Sequence, residues 1–211
     1  MTTTHQYLKK YPISPESEKL IVGTIHPHDH EKFEIPFFYG NMSTIWKILN
    51  VAFPNELGEP LSLEGITKFL KKRKISVSDT VQECQRQAST ANDSDLTGIK
   101  LNHEILEQIR NSKINEILFT SGFGKNNAFR LFYVDILKQT VTGEIRQNRE
   151  VVLDSEHFGR PVKLTVLYSP SGAANRGLSK SKVYLENKHK YKDSKKPVQA
   201  FKIDYYREKF S

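Results

Sequence analysis

The sequence predicts a three-layer α/β fold in which a mainly parallel β-sheet lies between two layers of helices. Short apolar runs rich in β-branched residues alternate along the chain with segments whose apolar residues recur at helical spacing. This alternation is typical of parallel strands joined by helical crossovers. The 211 residues show no internal repeat, so we expect a single domain, 1–211, with a basic C-terminal extension from about residue 178.

The strands are predicted from apolar, β-branched runs such as KLIVGTI at 19–25. The predicted strands cover 19–25, 75–81, 114–124 and 162–168, and a hairpin-like stretch at 142–154 could add a peripheral strand. Ligand sites of such folds lie beyond the carboxyl ends of the strands. We therefore expect the functional site among the polar or Gly/Pro-marked loops that follow Ile25, Val77, Thr120 and Tyr168.

The helices are predicted from apolar stripes and capping residues. In 43–53, Ile45, Trp46, Leu49 and Phe53 share one helical face. A second helix begins after Ser62 as N-cap and ends in a basic turn, which suits the helix dipole. The predicted helices cover 43–53, 62–74, 103–111, 127–138 and 197–210, and loops cover 26–41 and 86–95.

The charge of the chain favours a polyanionic partner. The formal net charge is +8, and from Arg176 onward eleven Lys/Arg stand against four Asp/Glu. Such a surplus suits a phosphate backbone. The single cysteine, Cys84, excludes an internal disulfide and a Cys-based zinc or iron–sulfur site. No apolar run is long enough to span a bilayer and no secretory signal is visible, so we expect a cytoplasmic protein without a membrane partner.

The HPHDH stretch at 26–30 places three histidines and an aspartate within five residues. It resembles the H-x-H-x-D-H pattern of metallo-β-lactamase-type hydrolases, but it is one residue short. A metal-dependent hydrolase that uses His26, His28, Asp29 and His30 is therefore one interpretation, and a solvated loop without metal is the favoured one. A single histidine here, with His26 as the candidate, could instead reach a phosphate or polarise a base.

Two further loops carry groups suited to a planar polar ligand. In FFYGN at 37–41, Phe38 and Tyr39 offer aromatic faces on which a base could stack, and Asn41 offers an amide. Asp79 lies near the end of a predicted strand, where an ionised carboxylate can only accept hydrogen bonds and so selects an N–H edge. Core packing for the aromatic residues and a turn role for Asp79 are the alternatives.

The stretch VLYSPSGAANRG at 166–177 ends a predicted strand in small polar residues. Ser169, Pro170, Ser171 and Gly172 carry little side-chain bulk, so hydroxyl and backbone N–H groups can approach an anion closely. A plain strand-to-helix connection is the alternative, since Ser and Gly are common in such turns.

Taken in order, these motifs resemble the uracil-DNA glycosylase superfamily and, within it, the hypoxanthine-DNA glycosylase-like group. LIVGTIHP at 20–27 is similar to the first superfamily motif, and VLYSPSGAANRG to the DNA-gripping second motif. FYGNMSTIWKIL at 38–49 and KISVSDTVQECQRQASTANDS at 74–94 resemble segments of the hypoxanthine-type group. The resemblance spans about residues 20–177.

The resemblance implies a four-stranded parallel sheet with helices on both sides. It also implies a monomeric DNA repair enzyme that hydrolyses the N-glycosidic bond of a flipped, deaminated base, uracil or hypoxanthine, without metal or cofactor. It implies that Gly23 and Thr24, together with Phe38, Tyr39 and Asp79, form the base pocket.

Several positions depart from the superfamily pattern. Most members carry an Asp or Asn shortly after the motif's glycine, whereas this chain has Thr24, Ile25 and His26. The hypoxanthine-type group relies on a later Asn, for which Asn41 is the candidate. Asp79 stands where many relatives have the Asn that reads uracil, and a carboxylate cannot donate to the base carbonyl, which leaves the choice of base open.

The second motif also departs from the pattern. Ser169 stands where His or Asn is frequent, and Ala173 replaces the Leu that wedges into the duplex, so Asn175 or Arg176 could fill the gap. These departures leave a second hypothesis open, a nucleic-acid-binding member of the fold whose catalysis is impaired.

Overall fold

The computed structural model describes residues 1–40, 44–87 and 92–211. Its strands are β1 (Thr2–Thr4), β2 (Lys19–Gly23), β3 (Ile75–Asp79), β4 (Val81–Gln85), β5 (Thr97–Leu101), β6 (Glu116–Phe119), β7 (Glu150–Leu153) and β8 (Val162–Val166). Its helices are α1 (Thr44–Ala52), α2 (Leu63–Lys72), α3 (Glu104–Arg110), α4 (Ala128–Arg130), α5 (Gly143–Asn148), α6 (Ser155–Phe158), α7 (Asn175–Leu178), α8 (Lys182–Asn187) and α9 (Pro197–Phe210).

The larger sheet has the strand order β3-β2-β6-β8-β7. The first four of these strands pair in parallel, and β7 pairs with β8 antiparallel at the edge. The predicted α/β fold with a parallel sheet of four strands is thus confirmed. The peripheral strand expected in 142–154 is β7, which follows α5 and does not form a hairpin with another strand of that stretch.

Alternate residues of the strands face two separate helical layers, as expected for a sheet covered on both faces. Ile21 and Leu118 point to the layer built from α1, α2 and α9. Their neighbours Leu20 and Ile117 point to the other layer, built from α3, α4 and the chain that follows it. This two-sided burial explains why the strands are continuous apolar runs in the sequence.

The segment 75–81, predicted as one strand, is divided between two sheets. Strand β3 pairs with β2 and ends at Asp79. Strand β4 begins at Val81 and pairs with β1 and β5 in a small antiparallel sheet of order β1-β4-β5. Neither β1 nor β5 was predicted, because the first is short and polar and the second is largely exposed. The predicted helix 127–138 also differs, since α4 continues as a π-helix over Leu131–Ile136.

Helix α9 attaches the basic C-terminal region to the first helical layer. Tyr206 and Phe210 of α9 join the core that contains α1, while Phe201 packs with Tyr184 of α8 and Leu178 of α7 in a smaller cluster. The division into a single domain with a C-terminal extension stays a prediction.

Candidate active site

A cleft of about 300 Å³ opens at the carboxyl ends of the parallel strands. The register explains its position, because Gly23 of β2 pairs with Asp79 of β3 and the ends of β6 and β8 lie level with them. The lining residues are Thr24, Ile25, His26, Pro27, Phe33, Tyr39, Thr44, Ile45, Asp79, Asp93, Thr120, Ser121, Ser169, Pro170 and Ser171. The structure thus brings together loops that lie far apart in the sequence.

Asp79 is held by a histidine that the sequence analysis did not identify. The Nε2 atom of His5 lies 2.8 Å from Asp79 Oδ2, and both side chains are buried. His5 Nδ1 accepts hydrogen bonds from the backbone N–H groups of Tyr7 and Leu8, at 3.0 and 3.3 Å. Nδ1 therefore carries no hydrogen, so the imidazole donates Nε2–H to the carboxylate. His5 fixes the orientation of Asp79 as a hydrogen-bond acceptor.

Gly23 makes the close approach of two polar groups possible. A Cβ atom at this position would lie 2.3 Å from the hydroxyl of Tyr39 and 2.4 Å from Asp79 Oδ1. The Tyr39 hydroxyl lies 3.0 Å from Thr120 Oγ1, which follows β6. Burial is the main cause that raises the pKa of Tyr39, with a further contribution from Asp79, so this phenol stays protonated at neutral pH. The glycine is therefore required for Tyr39 and Asp79 to meet at the end of β2.

Asp93 contributes a second carboxyl group to the cleft. Thr24 Oγ1 donates to Asp93 Oδ2 at 2.8 Å and lies 3.2 Å from Ser121 Oγ. Burial raises the pKa of Asp93 to about 6, and Asp79 adds to the rise, while the hydrogen bonds from Thr24 and Ser121 oppose it. Asp93 lies within the 74–94 motif but was not predicted as a site residue, because nothing in the sequence indicates that its loop folds back onto β2.

His26 lines the cleft, but both of its ring nitrogens bind backbone groups. Nδ1 lies 2.7 Å from the carbonyl oxygen of Pro27, and Nε2 accepts from the N–H of Gln6 at 3.1 Å. Burial lowers the pKa of His26 to about 4, so the ring is neutral at pH 7. These contacts suit a structural role in joining the N-terminal segment to the loop, and a catalytic role for His26 stays a prediction.

The remaining residues of the HPHDH loop also have partners within the protein. His28 Nδ1 lies 3.2 Å from Thr3 Oγ1, and His30 Nδ1 lies 3.1 Å from the carbonyl oxygen of His28. Within residues 1–40, 44–87 and 92–211, no group of three His, Cys, Asp or Glu side chains is placed to hold a metal ion. The hypothesis of a metal-dependent hydrolase receives no support from this geometry.

The aromatic residues predicted to stack on a base lie in different environments. Phe38 is only 1% exposed and packs in the core against His5 and Phe37, so its ring is not presented to the cleft. Tyr39 does line the cleft. Phe33, which was not predicted, also lines it and is partly exposed. Asn41, the predicted water-positioning residue, lies outside the described residues.

The loop that follows β8 forms one wall of the cleft through Ser169, Pro170 and Ser171. Ser171 Oγ accepts from the N–H of Ala173, and Ser169 Oγ accepts from the N–H of Ser171. Each hydroxyl keeps its own hydrogen available for donation. Space is open around the position where Gly172 would carry a Cβ, so an anion could approach its backbone.

The loop is supported from beneath by three side chains of other elements. Lys202 of α9 is fully buried and donates to the carbonyl oxygens of Ser171 and Pro170, at 3.0 and 3.5 Å. The Tyr206 hydroxyl donates to the carbonyl oxygen of Tyr168. The Arg149 guanidinium donates to the carbonyl oxygens of Val166 and Leu167. None of these three supports was predicted, because their sequence positions lie far from the loop.

The predicted insertion residues begin the basic region. Ala173 belongs to a 3-10 turn over Gly172–Ala174, and Asn175 and Arg176 lie at the start of α7. Ala173 and Arg176 are exposed. They are followed by exposed lysines at positions 180, 182, 188, 190, 192, 195 and 196. The turn at Gly172–Ala174 and α7 follow directly in the chain after Ser171, which lines the cleft, and the contact of Ala173, Asn175 and Arg176 with DNA stays a prediction.

Comparison with known proteins identifies the fold. No protein-family model matches the chain, and no curated protein matches it significantly. A solution NMR structure from Methanosarcina acetivorans, named as that of a "putative Uracil DNA glycosylase", superimposes with a TM-score of 0.50 over 99% of this chain and 98% of the other, at 17% identity. The two chains share a fold. At 17% identity this likeness shows the fold alone, and the grouping with the hypoxanthine-type glycosylases stays a prediction. Among the described residues, no helix is long and apolar enough to cross a membrane.

Proposed function

We propose that this protein is a monofunctional DNA glycosylase that hydrolyses the N-glycosidic bond of a flipped, deaminated base. The observation that carries the proposal is the cleft itself, where Asp79, Tyr39 and the 169–171 loop converge beyond the ends of parallel strands. Its volume of about 300 Å³ lies at the lower end of the range of small-ligand pockets, roughly 300–1,000 Å³. A site of this size suits one extruded base.

The cleft offers the two kinds of contact that a flipped base requires. Tyr39 and Phe33 supply aromatic surface, and Asp79 supplies an acceptor for an N–H of the base edge. Because His5 already donates to Asp79 Oδ2, the Oδ1 atom beside Gly23 is the one that remains for the base. Both uracil and hypoxanthine present a ring N–H beside a carbonyl, so this geometry fits either base.

DNA is the proposed partner because the wall of the cleft continues into a basic surface. The hydroxyls of Ser169 and Ser171 and the open backbone at Gly172 are suited to a phosphate. Arg176 and the exposed lysines that follow it would neutralise further phosphates, which makes the binding dependent on salt. We propose a cytoplasmic, monomeric enzyme that needs no cofactor.

Base release is the direct test. The purified protein is incubated with single- and double-stranded oligonucleotides that carry one uracil, hypoxanthine or xanthine, and alkali then cleaves any abasic site. We expect scission at uracil or hypoxanthine. We expect Asp79→Ala and Asn41→Ala to reduce it strongly, about 10²-fold or more if each interaction strengthens in the transition state. His26→Ala tests the predicted catalytic role of His26.

Asp79→Asn tests whether Asp79 contacts the edge of the flipped base. An amide in this position can accept from a ring N–H and also donate to the neighbouring carbonyl, whereas the carboxylate can only accept. Because both uracil and hypoxanthine present a ring N–H beside a carbonyl, we expect the variant to raise kcat/KM on both bases. An unchanged kcat/KM on both bases would remove Asp79 from base recognition.

The alternative, a DNA-binding protein with impaired catalysis, is favoured by one observation. Strand β2 runs into Thr24, Ile25 and His26 and supplies no carboxylate of its own to the cleft. This alternative predicts salt-dependent DNA binding without release of any base. Binding assays on the same oligonucleotides therefore accompany the alkali assay, and binding without scission would support it.

A further inference from the structure

A carboxylate reaches the end of β2 from a different loop. Asp93 begins a 3-10 turn over Asp93–Asp95, and Thr24, the first residue after β2, donates its hydroxyl hydrogen to Asp93 Oδ2. Asp93 lines the same cleft as Asp79 and Tyr39. The sequence lacks an Asp or Asn directly after β2, but the structure places the carboxyl group of Asp93 there, from a position about 70 residues further along the chain.

Asp93 is held on several sides. The side chain of Asn126 donates to the carbonyl oxygens of Asp93 and Leu96, at 3.0 and 2.9 Å, and so fixes the turn to the loop before α4. Ser121 and Thr24 both hydrogen-bond the carboxyl group from the strand ends. A side chain fixed in this way is suited to orient a water molecule without further ordering.

The two carboxyl groups of the cleft have different surroundings. Asp79 accepts from His5 through one oxygen and packs against Gly23 through the other, as described above for base recognition. Asp93 instead receives hydroxyl hydrogen bonds from the strand ends. Two titratable groups with different environments can take different roles in one site.

Ionisable groups face Asp93 from several elements. Asp79 of β3 raises its pKa and Arg86, which follows β4, lowers it. Tyr39 and Cys84 also interact with it electrostatically, and burial raises the pKa of both, so they are neutral at pH 7. The result is a pKa of about 6 for Asp93, which leaves it mostly ionised at neutral pH and close to the range that favours a general base.

We propose that Asp93 is the general base of the glycosylase reaction, oriented by Thr24. This inference rests on the proposed function. In the step, the oxygen of a water molecule bonds to C1′ of the flipped nucleotide and one water proton passes to the Asp93 carboxylate. The N-glycosidic bond breaks, its electron pair leaves with the base, and the base takes a proton from solvent. Asp93 then returns its proton to solvent.

The test compares pH profiles of kcat/KM for base release. In the wild type we expect activity to fall as pH decreases through about 6, because the base becomes protonated. Asp93→Asn should lose about 10²–10⁴-fold at pH 7 and lose this acidic limb. Thr24→Val removes a hydrogen bond that lowers the pKa of Asp93, so the acidic limb of the variant's pH profile should move to higher pH. Thr24→Ser keeps the hydroxyl and should return the limb to its wild-type position.

Asp95→Asn is the matched control, because it removes the same charge from the same 3-10 turn, and Asp95 is exposed and does not line the cleft. We expect it to retain wild-type activity. Circular dichroism and DNA binding check that each variant is folded.

The failures of the two proposals are distinguishable. A wild type that releases no base contradicts the proposed function. A wild type that is active, with Asp93→Asn within about threefold of it, overturns the inference and leaves the function intact. If Asp93→Asn does not fold, the Thr24→Val profile decides, because an unmoved limb overturns the assignment.

Discussion

Lys202 supports the loop after β8, but the burial of its charge lowers the stability of the folded protein. Its ammonium group is fully buried and donates to the carbonyl oxygens of Ser171 and Pro170. Burial lowers the pKa of Lys202 from 10.5 to about 8. Substitution by Met keeps the length of the side chain and removes the charge and both hydrogen bonds. We therefore expect Lys202→Met to alter the order of the loop. We also expect it to change the free energy of unfolding by an amount that depends on pH.

The sign and the size follow from the pKa shift. Because the pKa is lower in the folded state, the unfolded chain binds more protons between pH 8 and 10.5, and stability rises with pH through that window. The cost to the folded state is about 3 kcal/mol at pH 7 and about 1 kcal/mol at pH 10. From pH 7 to pH 10, the free energy of unfolding of the wild type should therefore rise by ~2.5 kcal/mol relative to that of Lys202→Met.

Urea unfolding followed by the fluorescence of the single, buried Trp46 measures this difference. Lys182→Met is the control, since the side chain of Lys182 is 85% exposed and should show no such dependence on pH. A difference between wild type and Lys202→Met that stays constant within about 0.5 kcal/mol from pH 7 to 10 would refute the reasoning. In parallel, we expect Lys202→Met to weaken DNA binding, because the loop carbonyls lose their donor.

Three further substitutions test the cleft and its basic border. Gly23→Ala should reduce base release at least tenfold with the fold retained by circular dichroism, because its Cβ would meet Tyr39 and Asp79 at 2.3 and 2.4 Å. His5→Ala should lower the free energy of unfolding by about 2–3 kcal/mol in urea titrations, because it leaves buried polar groups without their donor and acceptor. Arg176→Ala should reduce the slope of log binding constant against log salt by about 0.9, as expected for one lost phosphate contact.

Most of the parallel sheet was predictable because its strands are buried on both faces. Residues such as Leu20 and Ile21 must both be apolar when helices cover the two sides of a strand. Helix α2 was equally clear, since Ser62 accepts from Gly65 as its N-cap. The small sheet was missed because β1 and β5 are short and partly exposed, so no apolar period marks them.

The site was most predictable for residues at or just after the strand ends. Asp79 and Thr24 follow from the rule that sites lie at the carboxyl edge of a parallel sheet, and both line the cleft. Phe38 shows the limit of this reasoning, because an aromatic run in a loop can turn one ring to the cleft and another into the core. The sequence pattern does not distinguish the two.

The sequence by itself determined the class of fold, the basic C-terminal region and the small polar loop after β8, because these follow from local composition and periodicity. Only the tertiary structure decided that His5 binds Asp79, that Asp93 meets Thr24 and that Lys202 supports the loop. Each of these contacts joins residues at least 31 positions apart. Their partners are selected by the packing of whole strands and helices, and a hydrogen bond between distant residues leaves no periodic trace in the chain.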